Sequence, residues 1–170
     1  GAMIRTGSRY ETPEINGVSH FLEHMMFRGS SRHPSFDALA EAFEWLGGEW
    51  NAATGQEHTE YWYSGIHTSA LEAIKLFADF IRTPKLADLD LESQVIHREI
   101  QGEVNEHGLS TDLDHHTASI YFKDTSLALP ILGTPESLNS ITMAKLKAHR
   151  ARYYTPKNMV ICAVGGGPSK

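Results

Sequence analysis

The sequence has little cysteine, no excess of basic charge and no long apolar run, and each shortage excludes a class of protein. Its single cysteine, Cys162, rules out an internal disulfide. Lysine and arginine number 15 against 21 acidic residues, a net charge of −6, whereas nucleic-acid-binding domains are usually basic. No apolar stretch approaches the roughly 18 residues of a membrane span. The remaining composition, 41% hydrophobic and 21% charged over 170 residues, is typical of a soluble globular domain.

The two ends of the chain are expected to lie outside the folded domain. Residues 1–3 resemble the remnant of an expression tag, so the domain is expected over residues 4–165, with a tail at 166–170. Near the C-terminal end, the apolar run 159–164 predicts a strand. Cys162 within it is predicted to be a buried thiol and not a reactive one.

Hydrophobic periodicity predicts an α+β fold in which an antiparallel sheet packs against helices. Strands are predicted at 49–54, 59–66 and 158–164. Helices are predicted at 18–27, 35–46, 69–82, 88–107, 111–122 and 142–153, with another beginning at 134–135. The segment 88–107 has no proline and a single glycine, which favours one long helix.

The pentapeptide His20-Phe21-Leu22-Glu23-His24 is the motif that carries chemistry. Residues four apart lie on one face of a helix, so His20 and His24 can bind one ion together, and imidazole nitrogens suit zinc. Glu23 looks toward the same ion without being needed as a ligand, which suits a base that activates water. The alternative is a helix that merely exposes two histidines and an acid, because so short a motif also arises by chance.

A catalytic zinc typically has a third protein ligand, and the predicted helix 88–107 offers acids for that role. Four acids share one stripe of this helix at 100° per residue: Glu92, Glu99, Glu103 and Glu106. An acidic stripe is usually a solvated face. Apolar neighbours such as Ile96 indicate that part of this one is buried, where a carboxylate needs a partner.

The motif and several other stretches resemble peptidase family M16, the zinc peptidases typified by pitrilysin, insulysin and the mitochondrial processing peptidase. Its members share the inverted H-x-x-E-H motif. The resemblance covers residues 7–165 and corresponds to an N-terminal domain of the family. The matching stretches are 7–11, 17–29, 48–54, 57–61, 133–136 and 153–159, together with the pair Glu92 and Glu99.

The resemblance implies a role for each matching residue. His20, His24 and Glu99 would hold one zinc ion per chain, with Glu103 and Glu106 as weaker candidates for the third ligand. Glu23 would be the catalytic general base, and Glu92 would support a ligand histidine. The stretch of Asn51, Ala52 and Ala53 would be an edge strand that binds an extended peptide through backbone hydrogen bonds. The alternatives for Glu92 and Asn51 are a plain surface acid and a plain strand residue.

Compared with the family pattern, the chain looks truncated at both ends, with fewer strands before residue 7 and no second domain after residue 165. The resemblance therefore implies the catalytic N-terminal portion of a metalloendopeptidase, weakly active or inactive alone, that acts on peptides or unfolded proteins. Its expected partners are a C-terminal M16 domain or a partner subunit. Open sheet edges also favour homo-oligomers or strand exchange. No nucleic acid and no membrane span are expected.

Two other functions compete with the peptidase. One is a non-catalytic scaffold or partner subunit of the same fold that binds protein or peptide. A set containing Glu23 beside two histidines argues against it, since a scaffold needs no general base. The other is a structural zinc site, which normally closes with four ligands, commonly cysteines. The sequence leaves the compartment undecided, with the cytoplasm favoured over the periplasm or an organelle.

Overall fold

The computed structural model of the protein describes residues 1–107 and 109–166, and this part of the chain forms seven α-helices, five short 3-10 helices and four strands. The helices are α1 Val18–Met26, α2 Phe36–Glu44, α3 Ala70–Arg82, α4 Leu89–Gly102, α5 Leu113–Tyr121, α6 Pro135–Ser140 and α7 Met143–Tyr153. The strands are β1 Ala2–Ile4, β2 Glu49–Thr54, β3 Thr59–Ser64 and β4 Met159–Ile161. Apart from residue 166, the tail expected at 166–170 lies outside the described residues.

The four strands form one antiparallel sheet in the order β2-β3-β1-β4. β2 and β3 are joined as a hairpin in which Thr54 lies opposite Thr59. β1 pairs on both sides, so that Met3 lies between Glu60 of β3 and Val160 of β4. This sheet, with helices packed against it, confirms the predicted α+β fold.

Strand β1 occupies a central position that its sequence does not reveal. Three residues are too few for an alternating pattern to be recognised, and the strand exists because two neighbours pair with it. Its side chains at Ala2 and Ile4 are buried in the core. Residues 1–3 were predicted to be a tag remnant outside the domain. In the structure, residues 2 and 3 are part of the sheet.

Helix α1 packs against β2, α4 and α7, and this places its polar face between the sheet and α4. Its buried apolar side chains are Phe21, Leu22, Met25 and Met26. Below it, Phe80 of α3 meets the rings of Phe43, Trp50 and Tyr61 edge-on, at centroid distances of 5.5–6.2 Å. Aromatic pairs prefer this arrangement over a face-to-face sandwich, so these four rings form a well-ordered part of the core.

Two sequence predictions need correction. The helix predicted at 88–107 ends at Gly102, after which Val104 forms an isolated bridge with Ser110. Glycine favours a helix end because it loses more backbone freedom in a helix than other residues do. The second correction concerns Cys162, which is exposed and not buried. It follows a three-residue edge strand in which Val160 is 67% exposed, so an apolar run here does not mean burial.

Within the described residues, none of the helices has the length and apolar character that crossing a bilayer requires.

Candidate metal centre

Helix α1, which carries the H-x-x-E-H motif, is fixed at its start by a buried carboxylate. Gly17 precedes the helix with φ of 88° and has no side chain that could cap it. Glu11 supplies the missing acceptors: its carboxylate oxygens accept the backbone N–H groups of Gly17 and Ser19 and the side-chain amide of Asn16, at 2.7–2.9 Å. Free N–H groups and the helix dipole both favour a carboxylate at this end. This role of Glu11 is not predicted by the sequence, in which Glu11 is only part of a stretch that resembles the family.

One turn further along, α1 brings His20 and His24 together on one face. Their rings lie 4.6 Å apart between centroids in an edge-on arrangement. Glu99 reaches toward both from helix α4. Its Oε2 lies 3.9 Å from Nε2 of His20 and 3.5 Å from Nε2 of His24. One atom from each of the three residues falls within 4.8 Å of the others.

This set of donors fits a zinc ion. Tetrahedral zinc with bonds of roughly 2.0–2.2 Å holds its ligand atoms about 3.4 Å apart, near the distances found here. Oε2 of Glu99 is buried, yet it makes no hydrogen bond in the described structure. A buried carboxylate oxygen without a partner is costly, and a cation between it and the histidines would compensate the charge. Two imidazoles and one carboxylate would leave one coordination position open, as in catalytic sites.

The two histidines differ in their electrostatic surroundings. Burial and, second, the neighbouring His24 lower the pKa of His20 to about 3, so its imidazole is neutral at physiological pH, as a metal ligand must be. Burial also lowers the pKa of His24. The hydrogen bond to Glu92 and the negative charges of Glu99, Glu23 and Glu92 outweigh that effect and raise the pKa overall.

Glu92 supports His24 from behind. Its Oε2 lies 3.2 Å from Nδ1 of His24, the ring nitrogen that faces away from Glu99. An acceptor at Nδ1 favours the tautomer that carries its proton there and leaves Nε2 free for a metal. Glu92 is 7% exposed and is therefore not a plain surface acid.

Glu23 lies next to the three proposed ligands but is not one of the clustered ligand atoms. Its Oε2 accepts a hydrogen bond from the hydroxyl of Thr54 at the end of β2. Burial and the charge of Glu99 raise the pKa of Glu23 more than Thr54 and His24 lower it. Thr54 is not predicted from the sequence to be a site residue, because its contact with Glu23 spans 31 positions in the chain.

Strand β2 and Glu23 both line two cavities. One has a volume of about 550 Å³, and Glu23, His24, Trp50 and Asn51 are among its lining residues. The other, of about 500 Å³, is lined by His20 and Glu23 and by residues 52–54 of β2 among others. Since Glu23 lines both, the groove beside β2 continues on either side of it. β2 pairs on one side with β3 and is an edge of the sheet formed by the described residues.

The two weaker candidates for the third ligand lie elsewhere. Glu103 follows the end of α4 and lines the second cavity, outside the group of clustered ligand atoms. Glu106 is exposed and lies 3.5 Å from His107. The helix that was predicted to hold these acids on one stripe ends at Gly102, so Glu103 is its cap residue and Glu106 lies beyond it.

The chain is similar to known proteins over most of its length. A family model described as insulinase, peptidase family M16, matches residues 1–135. A Bacillus subtilis protein named uncharacterized zinc protease YmxG is 39% identical over 168 residues, which are 97% of this chain and 40% of that protein. The probable mitochondrial-processing peptidase subunit beta of Arabidopsis thaliana is 38% identical over 167 residues, 97% of this chain and 31% of that protein.

Among solved structures, an M16 peptidase inactive domain from Pseudomonas fluorescens matches with a TM-score of 0.81 at 20% identity, over 93% of this chain and 38% of that one. This likeness shows a shared fold. The chain spans less than half the length of each of these three proteins.

Proposed function

Because this chain belongs to the insulinase family of peptidases, family M16, we propose that it is the catalytic, zinc-binding N-terminal part of a metalloendopeptidase. The observation that carries the proposal is the meeting of His20, His24 and Glu99 around one point, with Glu23 beside them and free of that cluster. Three ligands and an adjacent carboxylate are what zinc-assisted hydrolysis requires. One zinc ion per chain is proposed.

Zinc, when bound, would act as a Lewis acid and lower the pKa of a water molecule in the open position. Glu23 takes a proton from the attacking water and passes it to the leaving amine as the peptide bond breaks. Thr54 holds the carboxylate of Glu23 through the bond to its Oε2, and Glu92 keeps the imidazole of His24 oriented. Each of these tasks falls to a different side chain.

A peptide substrate would bind along β2. An extended chain can add to a free sheet edge through backbone hydrogen bonds, and Asn51, Ala52 and Ala53 lie on the edge that borders Glu23. Such pairing reads the main chain more than the side chains. We therefore propose peptides and unfolded protein segments as the substrate class.

We propose that a partner domain or subunit corresponds to the part of the related proteins that this chain does not cover. The Arabidopsis relative is named as a subunit, and each compared protein is more than twice as long as this chain. A further domain or a second subunit would complete the substrate chamber, so this chain alone is expected to hydrolyse peptides weakly or not at all. Pairing between copies through an exposed edge strand such as β4 is a further expectation.

A non-catalytic scaffold is the second candidate. The Pseudomonas fluorescens structure favours it, because that protein is described as an inactive domain and has this fold. The side chains favour the peptidase. A protein-binding scaffold requires neither a buried carboxylate oxygen without a hydrogen bond at Glu99 nor a buried carboxylate at Glu23 beside two histidines.

Zinc content tests the proposal. Elemental analysis of the purified chain should give about one zinc ion per molecule, and His24→Ala should lose it. His58→Ala is the matched control, because His58 is exposed and lies outside the cluster, so this variant should keep its zinc. Glu23→Gln should also keep zinc while abolishing peptide hydrolysis by the chain joined to its complementing domain. The proposal would be contradicted if the unmodified chain held no zinc after incubation with zinc, or if Glu23→Gln hydrolysed peptides at the full rate.

A further inference from the structure

Arg28 links the proposed metal centre to the start of helix α4. It lies four residues after His24, beyond the end of α1. Its Nη1 is 3.1 Å from Oε1 of Glu92, and its Nη2 donates to Oδ2 of Asp88 at 2.7 Å. Glu92 in turn meets His24 with its other oxygen. A continuous polar chain therefore runs from Asp88 through Arg28 and Glu92 to His24.

We infer that Arg28 is a positioning residue that holds Glu92 against His24. The inference deepens the proposed function and rests on it, since it assumes zinc at His20, His24 and Glu99. No role for Arg28 follows from the H-x-x-E-H motif, which ends four residues earlier.

The two glutamates of α4, Glu92 and Glu99, are identical in type but differ in their partners. Both oxygens of Glu92 are engaged, Oε1 by Arg28 and Oε2 by His24. Oε2 of Glu99 is buried without a hydrogen bond and points at both histidines. Since a guanidinium cannot deprotonate in a protein, Arg28 is a permanent partner for Glu92. Glu99 is thus available for a metal, and Glu92 is not.

A positive charge near a zinc site could instead weaken metal binding by repulsion. Asp88 opposes this effect, because its carboxylate accepts the other end of the same guanidinium. Asp88 has a left-handed backbone with φ of 60° and makes no side-chain cap for α4. Aspartate tolerates this conformation better than most residues, and the contact with Arg28 helps to hold Asp88 in it. With its charge balanced, Arg28 acts on zinc through the orientation of Glu92.

Zinc affinity tests the inference, measured for the full chain by competition with a chromophoric zinc chelator. Arg28→Met keeps an unbranched apolar stem and removes the charge and the donors. Arg28→Met should weaken zinc binding by about tenfold, which is the lower end of the loss in metal affinity when a group that supports a ligand is removed. Arg28→Lys should lose less, since an ammonium can still reach Glu92. In a Glu92→Gln background, Arg28→Met should cause no further loss, whereas a purely structural effect of Arg28 would persist there.

The outcomes separate this inference from the proposed function. Unchanged or tighter zinc binding by Arg28→Met, or an equal loss in the Glu92→Gln background, would overturn the role of Arg28 while leaving the zinc site intact. Absence of zinc binding in the parent chain would overturn both. If Arg28→Met does not fold, Arg28→Lys decides alone, because affinity equal to or above the parent's would overturn the role.

Discussion

Thr54, the last residue of strand β2, donates a hydrogen bond from its hydroxyl to Oε2 of Glu23 on helix α1. The strand proposed to bind the substrate backbone therefore ends on the carboxylate proposed to activate water. Thr54 also lies 3.3 Å from the hydroxyl of its cross-strand neighbour Thr59, so its side chain is held from two sides. A general base must be fixed to within a fraction of an ångström to work well, and this contact supplies part of that restraint.

Replacing Thr54 tests the restraint. Thr54→Val keeps the shape of the side chain and removes the hydroxyl, so zinc content should stay at the parent's level. Peptide hydrolysis by the chain with its complementing domain should fall by about tenfold to a hundredfold, because a misplaced base costs rate more than binding. Thr54→Ser, which retains the hydroxyl, is the control and should stay close to the parent. Equal activity of the Val and parent proteins would show that Glu23 is positioned without Thr54.

The choice of third ligand is tested on the acids that the sequence left open. Glu99→Gln should weaken zinc binding by about two orders of magnitude. Structural zinc binding of about 10–16 kcal/mol divided over four ligands gives about 2.5–4 kcal/mol for each. Glu106→Gln is the matched control, because this exposed acid lies outside the cluster and its variant should bind zinc like the parent. If instead Glu103→Gln caused the larger loss, Glu99 would not be the ligand.

Some of the site is visible in the sequence because it depends on short-range periodicity. His20, Glu23 and His24 fall on one helix face whatever the rest of the fold, and the alternation in 59–66 marks a strand. Glu99 could be selected among the acids of α4 only by resemblance to a family. The residues themselves left Glu103 and Glu106 open, because the end of the helix at Gly102 was not predicted.

The remaining features depend on contacts between distant parts of the chain. Arg28 meets Asp88 across 60 positions, and Glu92 meets His24 across 68. Contacts between residues so far apart leave no periodic pattern in the sequence. The family resemblance suggested a supporting role for Glu92, but nothing in the sequence suggested one for Arg28. The exposure of Cys162 could not be predicted for a similar reason. An apolar run does not reveal whether its strand will be central or at an edge of the sheet.

A buried pair of hydroxyls beneath the site provides a stability prediction. The hydroxyl oxygens of Tyr61 and Tyr154 lie 2.7 Å apart, and Tyr61 is fully buried. Tyr154→Phe leaves the hydroxyl of Tyr61 without this partner, which should cost about 1–3 kcal/mol of unfolding free energy. The double replacement Tyr61→Phe with Tyr154→Phe should cost less than the sum of the two single changes. Additive costs in urea unfolding would contradict a mutual hydrogen bond.

His149 of α7 predicts how stability depends on pH. Its Nε2 lies 2.9 Å from the hydroxyl of Thr6 and 3.1 Å from that of Ser19, and the residue is 6% exposed. Burial and, second, the positive charge of Arg152 lower the pKa of His149 from 6.5 to about 4. In the unfolded chain the imidazole takes up a proton near pH 6.5, whereas in the folded chain it stays neutral until about pH 4. The folded state therefore loses stability as pH falls between these values and loses none above them.

The size of the effect follows from the shift, and a non-titrating variant isolates it. Each pKa unit corresponds to about 1.4 kcal/mol, so lowering the pH from 7.5 to 5.0 should cost the parent up to about 2 kcal/mol through His149. His149→Gln can still bond to Thr6 or Ser19 but does not titrate, while the other histidines titrate in both proteins. Urea unfolding with a metal chelator present should therefore show that the cost of His149→Gln shrinks by about 2 kcal/mol from pH 7.5 to pH 5.0. An equal cost at both pH values would mean that His149 titrates alike in the folded and unfolded chains and that its burial does not exclude the proton.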